Sequence, residues 1–489
     1  KEANLRKGSD EWWADIARPP TAAEVLEQIQ RSPNESAAGL SHQGARGYKM
    51  LAKDPKCLEV IRKMFEVFLR EGRVPDCLNT ALMKLLPKTE NGLDDLTKVR
   101  PIVLMEVIIK IFERVIIARV VKVLVDNDVL EKGQYGGLPG LGVQAPLRML
   151  AEMIEDANCS SQQLFVLVTD LSKAFDTMEY WSQAMSWTCL GMPQHMVNLL
   201  VSLDRGSADG PGATTRVALA QGRVTDTFKH GRGVRQGSVG GPIKWCVFVN
   251  FWIKWVKRRL AGKGYRMSAG NTRRIDEVLM RKAPELDPVE MIASVFIDDA
   301  TWTPNSSEGT QEVVDLCTTF CKFHGIDLNG EKSELHVVNK REGAPPIRWG
   351  PTPAHPDGIR APELTSPIKS LGVWFDMDAS WDTQFRAMKD KLGVMLGKFR
   401  HTSATPGMLV YGINTTVIPT LTYPLQVAAL STSRLDDLDI LIRKAFKAGA
   451  KVASSTLTEA IHLPRRDMGW GIRSLVDEGN SLAVRMTVE

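Results

Sequence analysis

The chain has 489 residues, 43% hydrophobic and 24% charged, with a net charge of +5. That profile is a folded, soluble chain of two to four domains, not a disordered or membrane-embedded one. So small a net charge is weak evidence for nucleic acid, but two stretches concentrate it: "KWVKRRL" (Lys254–Leu260) and "IRKAFKAGAK" (Ile442–Lys451).

The seven cysteines are scattered and odd in number, which fits a reducing, intracellular compartment. Cys317 and Cys321 share a helical face with Val313 and Phe320 and read as core rather than as a metal pair. The first residues show no signal peptide. The apolar stretch "VIIKIFERVIIARVVKVLV" is interrupted by Lys110, Glu113, Arg114, Arg119 and Lys122, so no membrane span is expected.

In chain order, "TAAEVLEQIQRS" (Thr21–Ser32) opens with a capping-box pattern. "KCLEVIRKMFEVFLREG" (Lys56–Gly72) is an amphipathic helix stopped by Gly72. "ALMKLLPK" reads as a short strand. A helix is expected after Pro101, with Ile108, Ile111, Phe112, Val115 and Ile116 as its buried stripe. "LFVLV" (Leu164–Val168) is a continuous apolar run, the mark of a strand buried on both faces, and "SVFI" (Ser294–Ile297) is a shorter one. Arg205–Arg235 reads as loops and a hairpin. "RAMKDKLGVMLGKFRH" (Arg386–His401) opens a helical last third. Strands and helices mix without regular alternation, which predicts an α+β fold.

Asp170 leaves one apolar strand, and Asp298 and Asp299 leave another. Adjacent carboxylates repel, so the Asp298–Asp299 pair marks either a turn or a cation site. If the two strands are neighbours, their ends form a cluster suited to Mg²⁺, which takes one or two carboxylates and leaves room for phosphates. Two such ions suit in-line phosphoryl transfer. Successive strand residues point to opposite faces, so both Asp298 and Asp299 reach one site only if a turn splays them. Asp298 is the stronger candidate to share a cation with Asp170.

Six motifs occur in order: "KVRPIVLMEVIIKIFERVI", "LVTDLSKAFDTM", "GVRQGSVGGPIKWCVFVN", "FIDDATW", "LNGEKSEL" and "KSLGVWFD". Together they resemble the reverse transcriptases of non-LTR (LINE-type) retrotransposons over about residues 80–380. "HLPRRDMGWGI" continues the resemblance more weakly. It implies a right-hand polymerase: a helical N-terminal extension (1–77), fingers and an antiparallel palm with helices (78–375), and a helical thumb and C-terminal segment (376–489). The implied activity is RNA-directed DNA polymerase, extending a DNA primer on an RNA template from dNTPs, with Mg²⁺, or Mn²⁺ in its place.

The resemblance also assigns roles. Asp170, Asp298 and Asp299 would hold the metals with the Leu171 carbonyl. Phe175 would be the steric gate against a 2′-OH. Gln236 and Gly237 would contact nucleotide and template, and Lys88 and Arg100 the triphosphate. Lys332 would protonate the pyrophosphate leaving group. Leu371 and Gly372 would centre the primer grip, and the downstream basic helices would follow the duplex.

Three departures stand out. Gly240 and Gly241 replace the usual Ser before Pro242 and are expected to loosen that loop. Gly330 stands where the family has Pro. Only part of the N-terminal Pro-Gly-x-Asp-Gly box is visible in "SAAGLSHQGARGY". Neither a Cys-His knuckle nor an endonuclease-like acidic set is visible, and RNase H has no room after the thumb. Such activities are expected outside this chain. Two other classes compete. A domesticated nucleic-acid-binding scaffold would not need the three aspartates. An RNA-directed RNA polymerase would need a smaller gate than Phe175. For a eukaryotic element the nucleus is the expected site of action, with no membrane partner.

Overall fold

The computed structural model describes residues 10–88, 98–205, 213–219, 222–267, 289–330, 332–341, 347–349, 359–360, 363–364, 366–399 and 404–488. Two sheets organise the first three quarters. A four-stranded sheet runs in the order Val99–Leu104, Thr80–Pro87, Thr214–Val217, Phe228–Lys229. A five-stranded sheet runs Glu363–Leu364, Glu334–Val338, Leu164–Thr169, Asp299–Trp302, Ala293–Phe296. All its pairings are antiparallel except Glu334–Val338 with Glu363–Leu364. The fold is α+β.

Leu164–Thr169 is the central strand, and its apolar run follows from burial on both faces. Phe165 and Leu167 pack with Trp245, Phe248 and Trp252 of the Gly241–Arg259 helix and with Cys317 and Cys321 of the Ser307–His324 helix. Leu164 and Val166 point the other way, onto Leu147, Leu150 and Ile154 of the Gln144–Ser160 helix. The two cysteines are core residues of this layer.

The N-terminal helices form as their patterns require. Thr21 caps Ala22–Arg31 in a full capping box with Glu24, and Pro55–Glu71 ends on Gly72 in the left-handed region. Val99–Leu104 remains extended through Pro101, pairing with Thr80–Pro87, and the helix starts only at Val107. Pro101 sits on the edge strand, where a missing N–H costs nothing. That helix, Val107–Asp126, is buried nearly all round: the expected stripe is inside, and so are Ile109, Ile117, Lys110 and Glu113. It shares a core with Ile29, Phe65 and Phe68 of the N-terminal helices.

The last part is helical. Asp382–Phe399, Thr432–Gly449 and shorter helices enclose their own core around Leu392, Leu438 and Phe446. Buried Asp439 accepts hydrogen bonds from the Leu475 and Val476 amides and the Ser474 hydroxyl, fixing the start of Leu475–Val488. In "HLPRRDMGWGI" the chain turns back tightly: a Cβ on Gly469 would lie 2.0 Å from the Leu463 carbonyl oxygen. Among the described residues no helix is long and apolar enough to cross a membrane.

Lys244 is fully buried between two acids, 3.1 Å from Glu113 and 2.8 Å from Asp204. Burial alone would push the Glu113 carboxyl up, but Lys244 and the Ser238 hydroxyl hold it below its ordinary value. Three helices meet at this ammonium. Replacing Lys244 by Leu removes the one cation hydrogen-bonded to both buried carboxylates. The expected cost is about 3–5 kcal/mol, read from the urea midpoint at pH 7.5.

Candidate active site

Phe296 pairs with Asp299, so Ile297 and Asp298 alone make the turn between two neighbouring strands. Ile297 has φ of +60°, and Asp298 is not in the positive-φ region. A β-branched residue there is strained by about 1–3 kcal/mol and must be held. The Trp245 indole N–H donates to the Ile297 carbonyl at 2.7 Å. On the other side a Cβ at Gly136 would lie 2.6 Å from the Ile297 side chain, so only glycine fits. The Tyr135 amide also donates to Val295 at 2.8 Å.

The turn separates the two acids as the pleat demands. Asp298 occupies it, and Asp299 begins the returning strand. Thr169 pairs with Ala300, which brings Asp170 alongside Asp299. The three carboxylates feel one another. Burial, with Asp298 and Asp170 nearby, pushes Asp299 up to about 6. Burial and Asp170 also push Asp298 up, while Arg100 pulls it back. Both remain exposed to solvent.

Asp170 lies just past its strand. Its carboxylate accepts from the Asn329 side-chain amide at 3.1 Å, and its amide donates to the Ser333 hydroxyl at 3.2 Å. Leu171 bridges Leu328 with its side chain buried. The flanking hydrogen bonds use the Asp170 carbonyl and the Ser172 amide rather than the Leu171 carbonyl.

Phe175 is half-buried, its ring 5.5 Å from that of Trp245, so one indole touches both the Asp turn and the candidate gate. The Gln236 side-chain amide donates to Asp176 at 3.1 Å, and its carbonyl accepts from Val103 at 2.7 Å. Burial pushes Asp176 up, and Gln236 moderates the shift. Gly237 has φ of +142°, and a Cβ would lie 2.1 Å from the Val103 carbonyl oxygen. Lys88, Arg100, Lys173, Asp176 and Gln236 line one cleft of about 520 Å³. Arg100 reaches it from the Val99–Leu104 strand, and Lys88 from just past the end of the adjacent Thr80–Pro87 strand.

The loop after Gln236 is tight, contrary to the expected loosening. A Cβ at Gly240 would lie 2.7 Å from Glu113, and the Ser238 hydroxyl and Val239 amide donate to that carboxylate. The glycine permits close approach to a buried acid. Arg235, also buried, donates to Asn79 and pins the loop's other end.

Lys332 is exposed on the turn that carries Asn329. Leu371 and Gly372 form the two-residue turn between Ile368–Ser370 and Val373–Phe375, both at positive φ. The Tyr423 hydroxyl donates to the Leu371 carbonyl at 2.6 Å and ties this hairpin to the helical last part.

The donor set is hard oxygen, and mutual repulsion leaves the carboxylates in need of positive charge, which fits Mg²⁺ or Mn²⁺. Among the described residues, no three His, Cys, Asp or Glu side chains are grouped closely enough to hold a metal ion by themselves. Sequence reasoning missed Trp245, Asp176, Glu113 and Lys244. Only "GGPIKW", with a charge and a Trp in an apolar helix start, carried a signal for two of them.

A mostly antiparallel sheet with helices on its faces, acids at the end of its central strand and on the neighbouring hairpin, and a cleft lined by Lys88 and Arg100 make up the palm and fingers of a right-hand polymerase. Residues 86–375 match the family model described as reverse transcriptase (RNA-dependent DNA polymerase). The chain belongs to that family. It is 22% identical over 421 residues to the Pol polyprotein of the R2 element of Nasonia vitripennis, covering 85% of this chain and 37% of that protein. It is 20% identical over 419 residues to the R2DM polyprotein of Drosophila melanogaster, covering 85% and 36%. It is 25% identical over 386 residues to a probable RNA-directed DNA polymerase from the Drosophila melanogaster X-element, covering 78% and 38%. The chain therefore spans well under half the length of these relatives. An apo telomerase structure from Candida tropicalis aligns with a TM-score of only 0.39 at 10% identity, over 68% of this chain and 66% of that one.

The raised Asp299 carboxyl sets a pH dependence. In the metal-free fold it keeps its proton up to about pH 6, whereas the unfolded chain ionises near its ordinary value of about 4. The native penalty is thus full above pH 6 and absent below pH 4. Asp299→Asn in EDTA is expected to raise the urea midpoint at pH 7.5, with the gain vanishing by pH 4.

Proposed function

We propose that this chain is the polymerase portion of a non-LTR retroelement protein, extending a DNA primer 3′-OH on an RNA template with dNTPs. The observation that carries this reading is that Asp170, at the end of the central strand, lies beside the strained hairpin of Asp298 and Asp299, while Lys88 and Arg100 line a cleft of about 520 Å³. In this reading the three aspartates hold Mg²⁺ with the Leu171 carbonyl. When bound, the ions neutralise charge developing on the phosphates and favour the attacking alkoxide. Lys88 and Arg100 hold the triphosphate. Gln236 and Gly237 seat the nucleotide against the template base. Phe175 closes the space a 2′-OH would fill, and Trp245 backs its ring. Lys332 supplies a proton to the departing pyrophosphate. Leu371 and Gly372 hold the primer end.

We divide the chain into a helical N-terminal extension (1–77), fingers and palm (78–375) and thumb with C-terminal segment (376–489). The family match over 86–375 and the separate core around Leu392 and Phe446 support this division. Its partners are an RNA template, a DNA primer and dNTPs. Its place of action is inside the cell, in the nucleus for a eukaryotic element.

Primer extension on an RNA template with dNTPs and Mg²⁺ is expected for the wild type, and Asp298→Ala should lower it about 10³-fold or more. Intact template–primer binding without extension by the wild type would favour a scaffold role instead. Phe175→Ala is expected to raise ribonucleotide over deoxynucleotide kcat/KM about 10–100-fold, in single-nucleotide incorporation. Gly237→Ala should raise the dNTP KM, because its Cβ cannot coexist with the Val103 carbonyl.

A further inference from the structure

We propose that Asn329 is a positioning residue for Asp170, orienting its carboxylate for a divalent cation. The inference rests on the reading of Asp170 as a cation ligand. Asp170 stands one residue beyond the last strand pair, Thr169 with Ala300, so the sheet ladder ends before it reaches the acid. Among the described residues, the one hydrogen bond to its carboxylate comes from the Asn329 side chain, to Oδ2 at 3.1 Å. A carboxylate only accepts, so Asn329 presents its NH₂ there. That donation tethers Oδ2 and leaves Oδ1 free for a hard cation.

The backbone of the same turn is locked to Asp170. The Asn329 amide donates to the Asp170 carbonyl at 2.9 Å. The Ser333 hydroxyl, buried, accepts from the Asp170 amide at 3.2 Å and donates to the Asn329 carbonyl at 2.8 Å. The Ser172 amide closes the far side on Asp327 at 2.9 Å. The loop after the Ser307–His324 helix is thus a clamp, and among the described residues Asn329 is its one side chain bonded to the carboxylate. Lys332 sits in the same turn, its amide donating to the Asn329 carbonyl. The clamp therefore also sets the distance between Asp170 and this cation. Outer-shell partners of this kind are worth about 10–100-fold in metal affinity.

The test is Mn²⁺ binding to the full chain without nucleic acid, followed by loss of the free-ion EPR signal. Wild type, Asn329→Ala, Asn329→Leu and Asp170→Asn are compared. Thermal unfolding in EDTA checks the fold, and the near-isosteric Leu variant covers the case in which Ala leaves a destabilising gap. Both Asn329 variants should weaken Mn²⁺ binding about 10-fold. In primer extension they should raise the Mg²⁺ concentration for half-activity by a similar factor, with the dNTP KM at saturating Mg²⁺ unchanged. Wild-type Mn²⁺ binding in both Asn329 variants, with loss in Asp170→Asn, overturns the proposal and leaves the ligand reading standing. Undiminished binding in Asp170→Asn overturns the ligand reading and the proposal with it. An equal rise in dNTP KM and Mg²⁺ requirement would mark a general distortion of the cleft and also overturn it.

Discussion

One buried ammonium group organises the candidate site. Lys244 joins three helices through Glu113 and Asp204, and the carboxylate of Glu113 in turn receives the Ser238–Val239 loop. That loop carries Gln236 and Gly237 and lines the cleft. The next residue in the same helical turn, Trp245, supports Phe175 and the Ile297 carbonyl. A single stretch at the start of the Gly241–Arg259 helix therefore sets the cleft wall, the gate and the acid-bearing turn together. Buried ion pairs are costly to desolvate and often add no net stability. Here the charge fixes a geometry that an apolar replacement could not, because both acids also hold backbone or side-chain donors of the loop.

The turn at Asp298 shows the same trade between stability and arrangement. Ile297 adopts a conformation that suits glycine, and among the described residues Arg100 is the one cation that offsets the Asp298 charge. Sequences that fold well normally avoid both features, and their coincidence is characteristic of sites that bind something charged. The surrounding packing, through Trp245 and Gly136, bears the strain.

Much of this was legible in the sequence, and the limits have physical causes. Continuous apolar runs made Leu164–Val168 and Ser294–Ile297 readable as strands, and acids at their exits are local features. The capping box at Thr21 and the Gly72 stop are local too. Glu113 and Lys110 misled: their charges read as interruptions of an apolar stretch, yet both are buried. Glu113 pairs with Lys244 of another helix and Lys110 donates to the Ala37 carbonyl, and no local pattern reports such long-range partners. Gly240 was misjudged for the same reason. Its need for close approach comes from Glu113, far away in the chain. The strand through Pro101 was hidden because an edge strand tolerates proline and the following apolar run is helical.

The core shared by Ile29, Phe65, Phe68 and the Val107–Asp126 helix bears on where the polymerase begins. Family similarity starts at residue 86, but the folding unit starts earlier. A fragment cut at that point would bare a greasy surface on its longest finger helix and invite aggregation. The helices ahead of residue 78 therefore act as a built-in cover for that helix, and trimming them would cost solubility before it cost any residue of the acid-bearing sheet.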